Sequence, residues 1–290
     1  MSLIPRFLRR RPRARCLPLV ESLLRGQAGL EVGGPSDVFR WRKGILPLYP
    51  VVGRLDNCNF APSTVWQASH AEGQTFEFDP GRPAGWQYIA EASDLSSIAS
   101  ARYDFVLSSH ALEHCANPLR ALGEWLRVLR GGGALVLLLP HREGTFDHRR
   151  PVTALEHLVA DERAGVGEDD LTHLEEILAL HDLARDPGGG TPEQFRERSL
   201  RNVENRCFHQ HVFDTALVVA LLDHVGVQLL AVETMAPFHV IAVARKLEEG
   251  RRADNGAFLA ADAAWRAASV FRGDRPVGAP GREAAGRTIP

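Results

Sequence analysis

The chain is poor in the features that mark special protein classes. No apolar run approaches the roughly 20 residues that span a bilayer; Ala134 to Leu139 is typical of the longest. Cysteine is scarce, and Cys16, Cys58, Cys115 and Cys207 form no CxxC pair. That excludes a disulfide scaffold and a cysteine zinc site, and suits a reducing compartment. Neither charge sign dominates: 34 Lys and Arg face 36 Asp and Glu, a net charge of −2. There is no global electrostatic reason to expect nucleic-acid binding. What remains is ordinary globular material, 290 residues with 44% hydrophobic and 24% charged side chains. That is enough for one large core or two small ones. A secretory signal is not expected, because Leu17-Pro18-Leu19-Val20 is broken by Pro18 and followed by Glu21; the expected location is cytoplasmic.

Charge is unevenly placed. Six arginines (Arg6, Arg9, Arg10, Arg11, Arg13, Arg15) precede the first acid, Glu21. Residues 1–26 therefore read as a basic arm, either a solvated terminus or a segment making weak contact with an anionic membrane surface. Residues 247–290, rich in Ala, Arg, Gly and Pro, read as a partly disordered tail with one short helix near Phe258 to Phe271. The last stretch, Gly273 to Pro290, reads as disordered. The domain proper spans 27–246.

Within that domain strands and helices alternate. Gly29 to Val32, Val51 to Asp56, Tyr103 to Ser109, Ala134 to Leu139, Val227 to Val232 and His239 to Ala244 are short apolar runs of the kind buried in a parallel sheet. Asn117 and Pro118 supply a cap and a first turn for a helix with Leu119, Leu122, Leu126 and Leu129 along one stripe. A second apolar helix is expected over Asp214 to His224. Repeated β-α units of this kind predict a doubly wound α/β sheet, whose ligands lie beyond the carboxyl ends of the strands.

Three loops at such ends carry candidate chemistry. Gly33-Gly34 follows the first strand, and lacking Cβ atoms lets backbone approach a ligand closely. Glu31 stands at the mouth of the same strand. Asp56, 25 residues on, closes the second predicted strand, where an acid can accept two hydrogen bonds from a ribose diol. Asp94-Leu95 pairs an acceptor with an apolar wall, suited to an adenine amino group and ring. Each alone also fits a plain turn or cap. A nicotinamide-binding GxGxxG reading fails, because Pro35 and Val38 stand where glycines are needed.

In order and spacing, Leu30-Glu31-Val32-Gly33-Gly34-Pro35-Ser36, Asp56, Ala92-Ser93-Asp94-Leu95, Tyr103 through His114 and Leu126 through Gly133 resemble the class I S-adenosylmethionine-dependent methyltransferases, in particular the type 11 group. The resemblance implies a Rossmann-like seven-stranded sheet with the last strand antiparallel, and S-adenosylmethionine as cofactor. It also implies cofactor contacts from Glu31, Gly33, Gly34, Asp56, Asp94, Leu95, Ser109 and His110. Two departures are the Gly-Gly-Pro-Ser turn, where the family alternates glycine with other residues, and Gly131 in place of the usual proline.

Between the fifth and sixth strands the chain is longer than a crossover needs. Residues 141–226 hold eight of the twelve histidines, and residues 141–212 are expected to form a helical insertion that recognises the acceptor. By topology His141, just after the fifth strand, and His211, just before the helix at Asp214, are the candidate catalytic bases for a hydroxyl acceptor. The expected acceptor is a polar small molecule or glycan. His181 reads as a packed core residue, and His157, His173 and His224 as helix-surface or packing residues. Two alternatives stand beside this reading. One is a non-catalytic binding or scaffold protein. The other is a metal-dependent hydrolase or lyase in which His141, Asp147, His148, His209 and His211 gather around an ion. No spacing here matches a compact zinc motif, so no metal is expected.

Overall fold

The computed structural model describes residues 12–65, 69 and 71–276. Eight strands form one sheet: β1 (Ala28–Val32), β2 (Arg54–Asn59), β3 (Gly73–Phe76), β4 (Gly85–Ile89), β5 (Tyr103–Ser109), β6 (Leu129–Pro140), β7 (Gln228–Met235) and β8 (His239–Arg245). Their order is β3-β4-β2-β1-β5-β6-β8-β7. The five from β4 to β6 run parallel, and β8 is antiparallel to both its neighbours. This is the doubly wound sheet anticipated, with the last strand reversed. It has eight strands rather than seven because β3 pairs antiparallel with β4 at one edge.

Two strands differ from expectation for one reason. β2 is Arg54–Asn59, not Val51 to Asp56, and five of its residues are buried, Leu55 followed by Asp56, Asn57, Cys58 and Asn59. A run of buried polar residues carries no apolar signature, whereas Val51 and Val52 do. β4 was not anticipated at all. It alternates exposed Trp86 with buried Gln87 next to the sheet edge, and so lacks a continuous apolar run.

Helices cover both faces. α1 (Leu17–Leu24) packs Val20 and Leu24 onto the face bearing Leu55, Phe105 and Val136. α2 (Pro118–Val128) lays Leu119, Leu122 and Trp125 on the other face, against Leu30, Val106 and Leu135. Each such fully buried side chain contributes about 1.5–3 kcal/mol relative to exposure. As expected, Asn117 caps α2, its side chain accepting from Arg120 N at 3.0 Å. After β6 come α3 (Leu155–Ala164), α4 (Leu174–Leu180), α5 (Pro192–Leu200) and α6 (Asn202–Asn205); α7 (Thr215–His224) then returns to the sheet.

The termini are more ordered than composition implied. Residues 14–24 join the core rather than forming an arm, and Glu233 of β7 accepts from the Arg15 and Cys16 backbone, 3.0 Å each. Arg13 donates to the carbonyls of Gly44 and Trp41. Arg6, Arg9, Arg10 and Arg11 lie outside the described residues. Within the supposed tail, α8 (Gly256–Leu259) and α9 (Ala264–Ala268) pack back, and Trp265, Phe271 and Asp274 are buried; residues 277–290 lie outside the described residues. No helix among the described residues is long and apolar enough to cross a membrane.

Candidate active site

The chain passes from β1 toward β2 on one side and later to β5 on the other, so the switch in strand order falls between β1 and β5. A cavity of about 850 Å³ opens there, within the size range of small-molecule sites. It is walled by the turn after β1, the ends of β2, β4 and β5, and residues of the insertion.

The turn after β1 has no room for side chains at its two glycines. Gly33 has φ +86°, and a Cβ there would lie 2.8 Å from Ala111 Cβ. At Gly34 a Cβ would fall 2.2 Å from the Glu31 carboxyl carbon. β2 fixes this turn through its buried amides: Asn57 Oδ1 accepts from Gly34 N at 3.0 Å, and Asn57 and Asn59 both donate to Gly34 O. The unanticipated polar face of β2 is therefore what holds the glycines in place.

Four of the expected cofactor contacts do not reach the cavity. Glu31 is buried behind the turn, accepting from Tyr49 Oη at 2.8 Å and Ser36 N at 3.0 Å; burial pushes its carboxyl up to about 7 against these bonds. Asp56 sits mid-strand because β2 starts three residues later than expected. It accepts from Tyr103 Oη (2.8 Å), Trp86 N (2.8 Å) and Arg54 Nε (3.1 Å) on the far side from the cavity lining. Asp94 is exposed and caps Ser96 N, while Leu95 is a core residue beneath α2. The cavity wall at those places is Asn59 at the end of β2 and Glu91 just past β4. Gly33, Gly34, Ser109 and His110 do line it.

The floor comes from the segment after β5. Ser109 Oγ and Glu113 Oε2 are buried without a hydrogen-bond partner. His110, at φ +56°, bonds His239 Nδ1 through Nε2 at 2.9 Å. Glu113, His114 and His209 bring one ligating atom each within 4.8 Å of the others. Burial and the neighbouring His209 lower His114 to about 4, so it is neutral near pH 7. Glu113 is buried, yet His110, His114 and His209 hold its carboxyl below its usual range.

His209 is the distinctive group. Its Nδ1 lies 2.5 Å from Asp147 Oδ2, and Arg150 Nη1 donates to the other Asp147 oxygen at 3.0 Å and to the His209 carbonyl at 2.8 Å. Burial disfavours the imidazolium, but the Asp147 carboxylate outweighs it and raises the His209 pKa. With Nδ1–H committed to Asp147, Nε2 carries the lone pair.

The two histidines expected to be bases are not in this wall. His141 is 1% exposed, stacked on Phe271 at 3.9 Å with Nε2 3.3 Å from Asp274 Oδ1. The C-terminal segment covers it, a contact invisible to strand topology. His211 is also 1% exposed and faces the Ala116 carbonyl at 3.1 Å. Nor do the five candidate metal ligands converge: His141 pairs with Asp274, His148 with Asp182 at 2.8 Å and His209 with Asp147, while His211 meets His157 and His173. His181 is packed as expected, between Phe146 and Phe195.

These residues fit a nucleoside-type cofactor: the two glycines of the turn line the cavity opposite the orphaned polar atoms Ser109 Oγ and Glu113 Oε2. Residues 58–137 match the type 11 family described as a methyltransferase domain. No curated protein matches the chain. Among solved structures it is similar to a SAM-dependent methyltransferase of Methanosarcina mazei, at 18% identity over 80% of this chain and 98% of that one, TM-score 0.48. It is similar also to an arsenic(III) S-adenosylmethionine methyltransferase of Chlamydomonas reinhardtii, at 15% over 80% and 67%, TM-score 0.45. A third is the 1,6-didemethyltoxoflavin-N1-methyltransferase of Burkholderia thailandensis with S-adenosylhomocysteine bound, at 11% over 81% and 79%, TM-score 0.42.

Proposed function

We propose that the chain is a class I S-adenosylmethionine-dependent methyltransferase, a reading supported by the match of residues 58–137 to a methyltransferase domain, and that it methylates a hydroxyl group of a polar small molecule or glycan. The single observation behind this reading is the Asp147–His209 pair in the cavity wall. A hydroxyl is a poor nucleophile until its proton is removed, and an oriented imidazole is the natural acceptor for it. Bound S-adenosylmethionine supplies an activated methyl group, so the chain need only hold and orient the reactants. Gly33, Gly34, Asn59 and Glu91 would hold it from the β1–β4 side, and Ser109 and His110 from the β5 side. His209 Nε2 takes the acceptor proton as the oxygen gains the methyl group, and Asp147 stabilises the resulting imidazolium. Polar groups around this end, Glu113, His114, Thr145, Asp186 and Arg198, suit an acceptor rich in hydroxyls. All four cysteines are free thiols, in keeping with the cytoplasm as the location.

The test uses labelled S-adenosylmethionine with panels of sugars, other polar hydroxyl compounds, amines and thiols. Label is expected on hydroxyl oxygen. His209→Asn is expected to lower turnover by about a hundredfold or more, with cofactor affinity by calorimetry unchanged. Label confined to amines or thiols, or full turnover in His209→Asn, overturns the reading.

A further inference from the structure

Away from the cavity wall, three histidines and an aspartate converge on one point, and the mechanism above uses none of them. We propose that His157, Asp161, His173 and His211 form a closed four-ligand site for a zinc ion, which ties three segments of the helical insertion together.

The ligating atoms of these four residues all lie within 4.8 Å of one another. His157 Nε2 is 3.0 Å from His173 Nε2 and 3.3 Å from Asp161 Oδ2. Metal–ligand bonds of about 2.0–2.1 Å in a tetrahedron set its edges near 3.3 Å, so the spacing already matches a coordination shell. His157 and Asp161 are four apart on α3, which puts both on one face. His173 is the residue before α4, and His211 lies on the segment leading into α7.

The protonation pattern points the same way. A carbonyl can only accept, so His211 Nε2 donates to Ala116 O at 3.1 Å, and the same nitrogen lies 3.7 Å from Asp161 Oδ2. Its Nδ1 lone pair is then buried without a partner, in a side chain that is 1% exposed. An imidazole that gives its N–H to a backbone carbonyl and keeps its lone pair free is in the form that metal sites require. His157 and His173 point Nε2 at Nε2, where a cation would satisfy both lone pairs at once. Asp161 is only 15% exposed, and its ion-pair partners among the described residues are histidines.

Three imidazoles and one carboxylate suit zinc among the common metals. Four protein ligands leave no open position, so the ion is structural. It would join α3, the start of α4 and the 209–214 segment. Because His211 is two residues from His209, the site would also anchor the proposed base. The proposal does not depend on the identity of the methyl acceptor.

The experiment measures metal in the tag-free full chain. It then titrates chelator-stripped protein with zinc chloride and with cobalt chloride. One zinc per chain is expected, with the intense visible absorption of tetrahedral cobalt(II). His157 and His173 are not core residues, so His157→Gln and His173→Gln are expected to fold. Each should weaken zinc binding by more than about a hundredfold, beyond the usual effect of removing an outer-shell partner. His114→Gln should retain the ion. Stripped wild-type chain that takes up no zinc overturns the proposal. So does zinc retained by both ligand variants, and so does zinc lost in His114→Gln alone, which would place the ion in the cavity cluster.

Discussion

His209 and Asp147 meet at 2.5 Å across 62 residues of sequence, with Arg150 pinning the carboxylate from behind. The pair fixes one imidazole nitrogen of a residue that lines the cavity and leaves the other out of that bond. Replacing Asp147 with Asn removes the negative charge that favours the imidazolium, so the His209 pKa falls. The acid limb of the pH–kcat profile should therefore move to lower pH, while the plateau drops because the tautomer is no longer enforced. A limb that stays in place would show that His209 is not the titrating base.

The Asp56 carboxylate is committed to the fold, accepting from Tyr103, Trp86 and Arg54. Asp56→Ala leaves the Tyr103 hydroxyl and the Trp86 amide without their acceptor, at a cost of about 1–3 kcal/mol for each buried donor. Chemical denaturation should show the loss, and calorimetry should show S-adenosylmethionine affinity unchanged.

Gly34→Ala tests the turn. The new methyl would collide with the buried Glu31 carboxyl group at 2.2 Å, and the turn must shift away from Glu31, which alters the cavity wall that Gly33 and Gly34 form. S-adenosylmethionine affinity is expected to fall at least about tenfold, or 1.4 kcal/mol. Unchanged affinity would remove this turn from the cofactor site.

Acid should destabilise the protein through its buried neutral histidines. Burial holds His239 to about 3, with His110 adding to the effect, and lowers His114 to about 4, against the ordinary 6.5. The unfolded chain binds protons as pH falls through 6.5, while the native chain does not until pH 3–4. Their contribution is complete above about 6.5 and is lost progressively below it. Denaturant midpoints at pH 7 and pH 5 measure this, and His239→Gln should flatten the slope.

His141→Ala should cost stability but not chemistry. It removes the stacking partner of Phe271 and a bond to Asp274, so the melting temperature should drop while kcat below that temperature holds. A lost kcat with unchanged melting would return His141 to the reaction.

Much of the scaffold was legible in the residues themselves. The Asn117 cap, the α2 stripe as far as Leu126 (Leu129, expected on it, opens β6) and the long apolar strands β5 and β6 follow from local rules, and so does the reversed last strand once the type 11 resemblance is granted. The segment from Ser109 to His114 reached the cavity floor as that resemblance implied. β2 and β4 were displaced or missed because their buried residues are polar or alternate with exposed ones. The pattern of apolar residues does not encode a strand whose amides are satisfied by a neighbouring turn.

What the sequence by itself determined is the class of the sheet, its long apolar strands and the glycine turn at its switch point, since these rest on backbone preferences and hydrophobic burial that act over a few residues. Which histidine faces the cavity was settled only by tertiary structure. Phe271 and Asp274 cover His141, and Arg150 and Asp147 position His209, while His157 of α3 and His173 at the start of α4 pack against His211. Each of these is a contact between distant segments, and a side chain's solvent access and charge depend on what packs against it rather than on its neighbours in the chain.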